Sequence, residues 1–275
     1  ARRNRSSETD CRAGIAEIPG SYAPSGSRVE KMLLTEEQEQ IRTTARAFAQ
    51  DFLAPNSAEW DRQAIFPRDA LRKMGKLGFL GMTVPSEWDG VGADYVAYAV
   101  ALEEIAAGDG AVSTIMSGHN SVGCMPLVEY GTKTQKEKYL RPMARGELLS
   151  AFCLTEPQGG SDAGAIRTRA ERRHGAYVIN GTKQFITSGK NADVALVFAA
   201  TDFGLGKRGI SCFIVETKQS GYCVTRVESK MGQHASDTCE IRFDELSVPT
   251  ENRLGTEGQG YRIALANLEG GRIGI

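Results

Sequence analysis

Residues Ala151-Phe-Cys-Leu-Thr-Glu-Pro-Gln-Gly-Gly-Ser-Asp-Ala-Gly-Ala165 decide how this chain is read. The apolar run from Ala151 to Leu154 has the look of a strand. It breaks at Thr155-Glu156-Pro157 and opens into Gly159-Gly160-Ser161-Asp162. Two adjacent glycines let a backbone come close to a flat ligand and adopt dihedrals closed to other residues. Thr155 and Ser161 add hydroxyls at both ends of the loop. On the glycines alone, a surface hairpin loop is the better account of the stretch.

Upstream of the loop the periodicity is helical. Thr35-Glu-Glu-Gln38 is a capping-box pattern, Ile41, Ala45, Phe48 and Phe52 follow at helical spacing, and Pro55 is expected to end that run. A second helix is expected from near Pro67, with Leu71, Met74 and Leu77 on one face. Val84 to Gly92 is a loop, and a helix resumes at Asp94 and stops at Gly108-Asp-Gly110. Another, interrupted by Gly118, Gly123 and Pro126, spans Ala111 to Gly131, and Thr134 with Glu137 caps a short one. Residues 32–149 are thus predicted as a helical N-terminal domain. Residues 1–31 carry Arg2, Arg3, Arg5 and Arg12 and no periodic apolar face, so they are expected to be a disordered or non-native leader ahead of Met32. Glu8, Asp10 and Glu17 argue against an import signal.

Downstream the character switches to strands. Asn180-Gly181 between apolar alternations predicts a hairpin. Val194 to Ala200, Ile210 to Glu216, Tyr222 to Val227 and Thr238 to Phe243 give further strands, a small antiparallel β-barrel or sandwich middle domain over residues 150–253. A helical pattern returns at Gly260 to Leu268 and still runs at Ile275. Residues 254–275 are therefore expected to be the start of a helical C-terminal domain that is otherwise missing. The expected fold class is α+β multidomain. Gly204-Leu-Gly-Lys-Arg-Gly209 matches G-x-G-x-x-G but leads into a strand, leaving no helix N-terminus to receive a pyrophosphate, so it reads as a turn.

Composition narrows the function classes. Lys plus Arg is 33 against 34 for Asp plus Glu, which gives no electrostatic case for nucleic acid or an anionic membrane. No apolar run approaches the roughly 20 residues that span a bilayer. The six cysteines form no Cys-x-x-Cys pair and the three histidines share no ligand spacing, so no metal site is expected. Free cysteines in apolar runs fit a reducing compartment.

The string C-L-T-E-x-x-G-G-S-D-x-x-A resembles the signature of the acyl-CoA dehydrogenase flavoproteins. Lys183-Gln-Phe-Ile-Thr-Ser-Gly189 resembles that family's second flavin segment. Lys230 to Thr238, Val248-Pro249 and Leu268-Glu-Gly-Gly-Arg-Ile-Gly274 fall in the family's order and spacing. The resemblance implies FAD as cofactor, contacted by Phe152, Cys153, Leu154, Thr155, Gly160, Ser161, Phe185, Ile186 and Thr187. An isoalloxazine needs donors along its N1, O2, N5 and O4 edge and an apolar wall elsewhere. The Leu154 and Thr155 N–H groups and the Thr155 hydroxyl suit that edge, and Thr187 matches the residue beside N5. Phe185 stands where the family usually has Trp, keeping the wall but losing the indole N–H.

On the substrate side the resemblance implies Ser161, Glu269, Gly270, Gly271 and Arg272, with Ser161 where flavin and thioester meet. The family removes an α-proton from an acyl-CoA while the β-hydride goes to flavin, which demands a carboxylate base. In most members that base lies in the C-terminal helical domain; in the isovaleryl branch it occupies the position that is Gly271 here. No catalytic residue is therefore named in this sequence. Asp94 to Glu104 and Gly160 to Ala165 look most like short-chain members, implying butyryl-like or small branched acyl thioesters. The resemblance also implies an electron-transferring flavoprotein as acceptor, a homo-oligomer (commonly a tetramer), and a cytoplasmic or, in a eukaryote, mitochondrial-matrix setting. An acyl-CoA oxidase or flavin monooxygenase relative of the same fold, and a non-catalytic flavin or CoA binder, stay open as alternatives.

Overall fold

The structure is a computed structural model, and it describes residues 34–274. The expectation of a leader over residues 1–31 lies outside the described residues. Thr35 caps the first helix with the box read from sequence: its hydroxyl accepts from Gln38 N at 3.2 Å, and Gln38 Oε1 accepts from Thr35 N at 3.0 Å. Helix α1 (Glu36–Phe48) passes through a π-turn at Ala49–Leu53 into α2 (Ala54–Gln63). Then come α3 (Arg68–Lys76) and α4 (Tyr95–Gly108). Helix α5 (Gly110–Gly118) passes through a π-turn at His119–Cys124 into α6 (Met125–Tyr130). Helix α7 (Lys133–Gln135) passes through one at Lys136–Leu140 into α8 (Arg141–Ala144).

All three π-turns have one cause visible in the sequence. Pro55, Pro126 and Pro142 each sit second in the helix that follows. Proline has no N–H to give and its ring crowds the carbonyl four residues back; a wider turn relieves that crowding without ending the helix. Pro55 therefore does not end its helix, contrary to the sequence expectation. Ala64, left-handed at φ 51°, does. The cap expected at Thr134 is likewise two residues early, at Thr132, whose hydroxyl accepts from Gln135 N at 3.2 Å.

The sheet contains β1 (Ser150–Cys153), β2 (Arg169–Arg173), β3 (Ala176–Thr187), β4 (Val194–Ala200), β5 (Ile210–Glu216), β6 (Tyr222–Val227), β7 (Thr238–Pro249) and β8 (Arg253–Leu254). Their order is β6-β7-β3-β2-β4-β5-β8, with β1 also paired to β4. Most pairings are antiparallel, as expected; β1 and β2 meet β4 in parallel, which makes the sheet mixed. Asn180-Gly181 does not turn the chain. It is a bulge in the middle of β3, where the register against β7 slips between Ile179 and Gly181. The turn lies at His174-Gly175, both left-handed at φ 47° and 82°, the pairing a two-residue hairpin requires. Gly204 to Gly209 falls in a short 3-10 segment joining β4 to β5, a turn as expected.

Every residue of β4 is buried. Ala195, Val197 and Ala199 face a core shared with β3, β5 and β7. Val194, Leu196 and Phe198 face a second core with the α6–α8 helices and Ile263 and Ala264 of the closing helix, α9 (Gly260–Gly271). A strand covered on both faces has to be apolar throughout rather than alternating. That two-sided burial brings β1, the loop after it and α9 against the helical domain. No helix among the described residues is long and apolar enough to cross a membrane.

Candidate functional site

A cavity of about 530 Å³ lies where β1, β3, α9 and the α5–π-turn segment meet. It gathers ten residues singled out from sequence: Phe152, Leu154, Thr155, Gly160, Ser161, Phe185, Ile186, Thr187, Gly271 and Arg272. Strand alternation explains the gap at Cys153, which points the other way, fully buried in the sheet core, where burial pushes its thiol up to about 12. Helix geometry explains Glu269 and Gly270, which line a separate cavity of about 140 Å³ with Tyr95, Tyr98 and Glu129. Two residues on a helix are roughly 200° apart, so Glu269 and Gly271 face different ways.

The loop after β1 closes on itself. Glu156 N donates to Gly159 O and Gly159 N to Glu156 O, both at 3.0 Å. Neither Gly159 nor Gly160 uses positive φ, so the expectation of special dihedrals there is not met. A Cβ on Gly160 would meet Thr155 Cγ2 at 3.7 Å, an ordinary contact. The protein's own packing therefore does not require glycine at that point of the cavity rim. Phe185, by contrast, is left-handed at φ 58° and 60% exposed, within a bulge between Lys183 and Ile186. A bulky residue in that conformation is strained, and here it leaves an aromatic face at the cavity rather than in the core.

Sequence reasoning missed the helical wall. Thr114, Ile115, Ser117, Ser121 and Val122 line the same cavity, as does His119. His119 is fully buried; burial lowers its pKa to about 4, so it is neutral. Its Nε2 donates to Met143 O at 2.9 Å and its Nδ1 accepts from Ser150 N at 3.2 Å, leaving no nitrogen free. Among the described residues, no Asp or Glu lines this cavity.

Also missed was a buried ion pair behind the loop. Lys183 on β3 has no exposure, and its Nζ donates to Glu156 Oε1 at 2.8 Å and to Leu154 O at 3.0 Å. Glu156 further accepts from Arg167 N at 2.7 Å and Thr168 N at 3.0 Å. Burial raises the Glu156 carboxyl, but the Lys183 ammonium and these donors outweigh it and hold it below the usual carboxylate range. Burial lowers the Lys183 ammonium. The available signal was a lysine at the inward position of an alternating strand, Ile179-x-Gly181-x-Lys183.

Gln233 and His234, in the connection between β6 and β7, reach across to α5 and α2. Gln233 Oε1 accepts from Thr114 at 2.9 Å, and His234 N donates to Asp61 Oδ1 at 2.7 Å.

Fold and cavity together define a helical domain joined to a curled mixed sheet, with an apolar, hydroxyl-rimmed cavity at the junction. The acyl-CoA dehydrogenase N-terminal domain model matches residues 35–147 and the middle domain model matches residues 151–246. The chain belongs to the acyl-CoA dehydrogenase family. It is 45% identical over 244 residues to an acyl-CoA dehydrogenase of Bacillus subtilis, covering 89% of this chain and 64% of that relative. It is 44% identical over 242 residues to a short-chain specific acyl-CoA dehydrogenase of Clostridium acetobutylicum, covering 88% and 64%. The structure of butyryl-CoA dehydrogenase from Megasphaera elsdenii superimposes with a TM-score of 0.85 at 39% identity, over 88% of this chain and 64% of that one. The chain thus spans just under two thirds of the length of these relatives.

Proposed function

We propose that this chain holds FAD and a short acyl-CoA thioester in the 530 Å³ cavity and belongs to an enzyme that desaturates the acyl group between its α and β carbons. The observation that carries the reading is convergence: Thr155 with Gly160 and Ser161, Phe185 to Thr187, and Gly271-Arg272, far apart in sequence, meet on one cavity. The donor set suits a flavin. Thr155, Ser161 and Thr187 offer hydroxyls, the loop offers backbone N–H groups, and Phe185 offers an exposed aromatic wall. Gly160 leaves the rim open where no protein atom requires it. A bound flavin would supply the hydride acceptor.

The chain's own residues bind and orient. Phe152, Leu154 and Phe185 exclude water from one side, and Ile115, Val122, Leu265 and Leu268 give an apolar end suited to a short acyl group. Arg272 lines the cavity and is exposed and cationic, suited to an anionic thioester carrier. The α-proton needs a carboxylate acceptor, and neither an Asp nor a Glu among the described residues faces the cavity. We therefore place the base outside residues 34–274. Likeness to the Clostridium acetobutylicum short-chain enzyme and the Megasphaera elsdenii butyryl-CoA enzyme supports a butyryl-like substrate. An electron-transferring flavoprotein as acceptor, a homo-oligomeric assembly and a cytoplasmic setting (the mitochondrial matrix in a eukaryote) follow from the family resemblance.

Titration of the full-length apoprotein with FAD, followed by butyryl-CoA, tests the reading. FAD should bind, and butyryl-CoA should bleach the flavin absorbance. A full-length protein that binds no flavin overturns it. Flavin binding without bleaching by any short acyl-CoA would leave a binder rather than an enzyme.

A further inference from the structure

The loop that offers donors to the cavity is backed by a cation that never reaches it. Lys183 has no exposure and does not line the cavity, yet its Nζ lies 3.0 Å from Leu154 O and 2.8 Å from Glu156 Oε1. Leu154 and Thr155 both line the cavity. The peptide between them is trans and planar, so its N–H points opposite to its C=O. With Leu154 O turned toward Lys183, the Thr155 N–H is aimed away from Lys183. A cationic donor on the carbonyl also draws electrons through the amide and makes that N–H a stronger donor.

Lys183 is itself held. Glu156 Oε1 accepts from it and from Thr168 N at 3.0 Å, while Oε2 accepts from Arg167 N at 2.7 Å and Gln158 Nε2 at 2.6 Å. Thr155 O accepts from Gln184 N at 2.8 Å, the residue after Lys183. The loop carrying Thr155 and the strand carrying Phe185 and Thr187 are thus fixed to each other through one buried ion pair, the Lys183 bond to Leu154 O and one backbone bond.

We propose that Lys183, anchored by Glu156, is a positioning residue for the bound flavin: it sets the direction and strength of the Thr155 N–H at the cavity and locks the two flavin-facing segments in register. This rests on the flavin reading above. A stronger N–H donor at the ring edge favours the flavin's reduced, more negative form, so Lys183 raises the potential of the bound cofactor as well as its affinity.

The test uses the full-length holoprotein, with FAD affinity, midpoint potential of the bound flavin and thermal unfolding of the apoprotein as readouts. Lys183→Met leaves Glu156 buried without its cation and risks misfolding. The double variant Lys183→Met/Glu156→Gln carries no lone buried charge, and Gln keeps an oxygen for Thr168 N. In the folded double variant, FAD affinity should fall by roughly tenfold or more and the midpoint potential should move negative. A folded double variant with wild-type FAD affinity and potential overturns the proposal. So does one that loses only apoprotein stability, or one that does not fold, since the pair would then be a structural staple. A wild-type protein that binds no FAD overturns the flavin reading itself, an outcome distinct from a variant that leaves FAD binding unchanged.

Discussion

His234 and Asp61 are joined twice: the backbone N–H of His234 lies 2.7 Å from Asp61 Oδ1, and its ring Nδ1 lies 3.0 Å from the same oxygen. The other ring nitrogen, Nε2, is 2.7 Å from Lys230 O. Both ring nitrogens face oxygens that only accept, so the arrangement suits the doubly protonated imidazolium. Hydrogen bonding to Asp61 raises the pKa of His234, and the backbone and ring donors of His234 lower that of Asp61.

The pH dependence follows with a definite sign. A histidine whose folded pKa is raised contributes stability fully below its ordinary value and loses it as pH rises through the raised value. Asp61, depressed, contributes above its ordinary value and loses that as pH falls through the depressed one. The latch between His234 and α2 should thus be firmest at mildly acid pH. Denaturant unfolding of wild type and His234→Gln should show the wild-type advantage below histidine's ordinary value of about 6.5 and its decline as pH rises above that value. A pH-independent difference would show that the imidazolium plays no part.

Phe213 anchors the sheet core. It is fully buried, and its ring lies 4.8 Å, centroid to centroid, from that of Tyr177 on β3, tilted by 58°. Phe213→Ala should cost about 3–5 kcal/mol in equilibrium unfolding, through lost burial and the cavity left behind. A loss under about 1 kcal/mol would mean that β3 and β5 collapse onto each other without it.

Much of the fold was readable because local and tertiary demands coincide. Val194–Ala200, Ile210–Glu216 and Tyr222–Val227 end where their apolar or alternating runs end. The misreadings occur where they diverge. Asn180-Gly181 has ideal turn chemistry, but pairing with β7 on both sides keeps the chain extended and absorbs the misfit as a bulge. Pro55 reads as a breaker, yet a π-turn accommodates it. The site was legible on the sheet side, where a contiguous loop and strand carry it. The helical wall was not, because Ile115 and Val122 look like any core residue until the fold sets them on the same cavity as Phe152. Lys183 belongs to a motif that is plain in the sequence, but that it is buried and paired with Glu156 depends on two segments meeting.

Thr187 offers a direct check on the cofactor. It ends β3, pairs with Thr238 and lines the cavity beside Phe185. Thr187→Val keeps the β-branched shape and ladder bonds while replacing a hydroxyl by a methyl. If the hydroxyl bonds a flavin, the full-length variant should bind FAD roughly two- to tenfold more weakly or show slower flavin reduction by acyl-CoA. Unchanged affinity with unchanged reduction rate would remove Thr187 from the site.

Gly271 marks where a carboxylate could be supplied. It lines the main cavity, and a Cβ there would lie 3.5 Å from Ser121 Oγ and 3.7 Å from Val122 Cγ1, ordinary contacts that admit it. Glu269, two residues earlier, lines the other cavity, so the nearest natural carboxylate on α9 faces away. His119 is neutral with both nitrogens engaged, which removes the other candidate acceptor. The 275-residue chain supplied with FAD should therefore not turn over butyryl-CoA with an artificial electron acceptor. Gly271→Glu places a carboxylate at the cavity and exchanges a poor helix former for a better one. Turnover should then appear, rising with pH as that carboxylate ionises, and reaching part of the roughly 10²–10⁴-fold that a positioned general base contributes. Turnover by the unsubstituted chain would show that the proton acceptor lies among its own residues, contrary to the cavity lining described above.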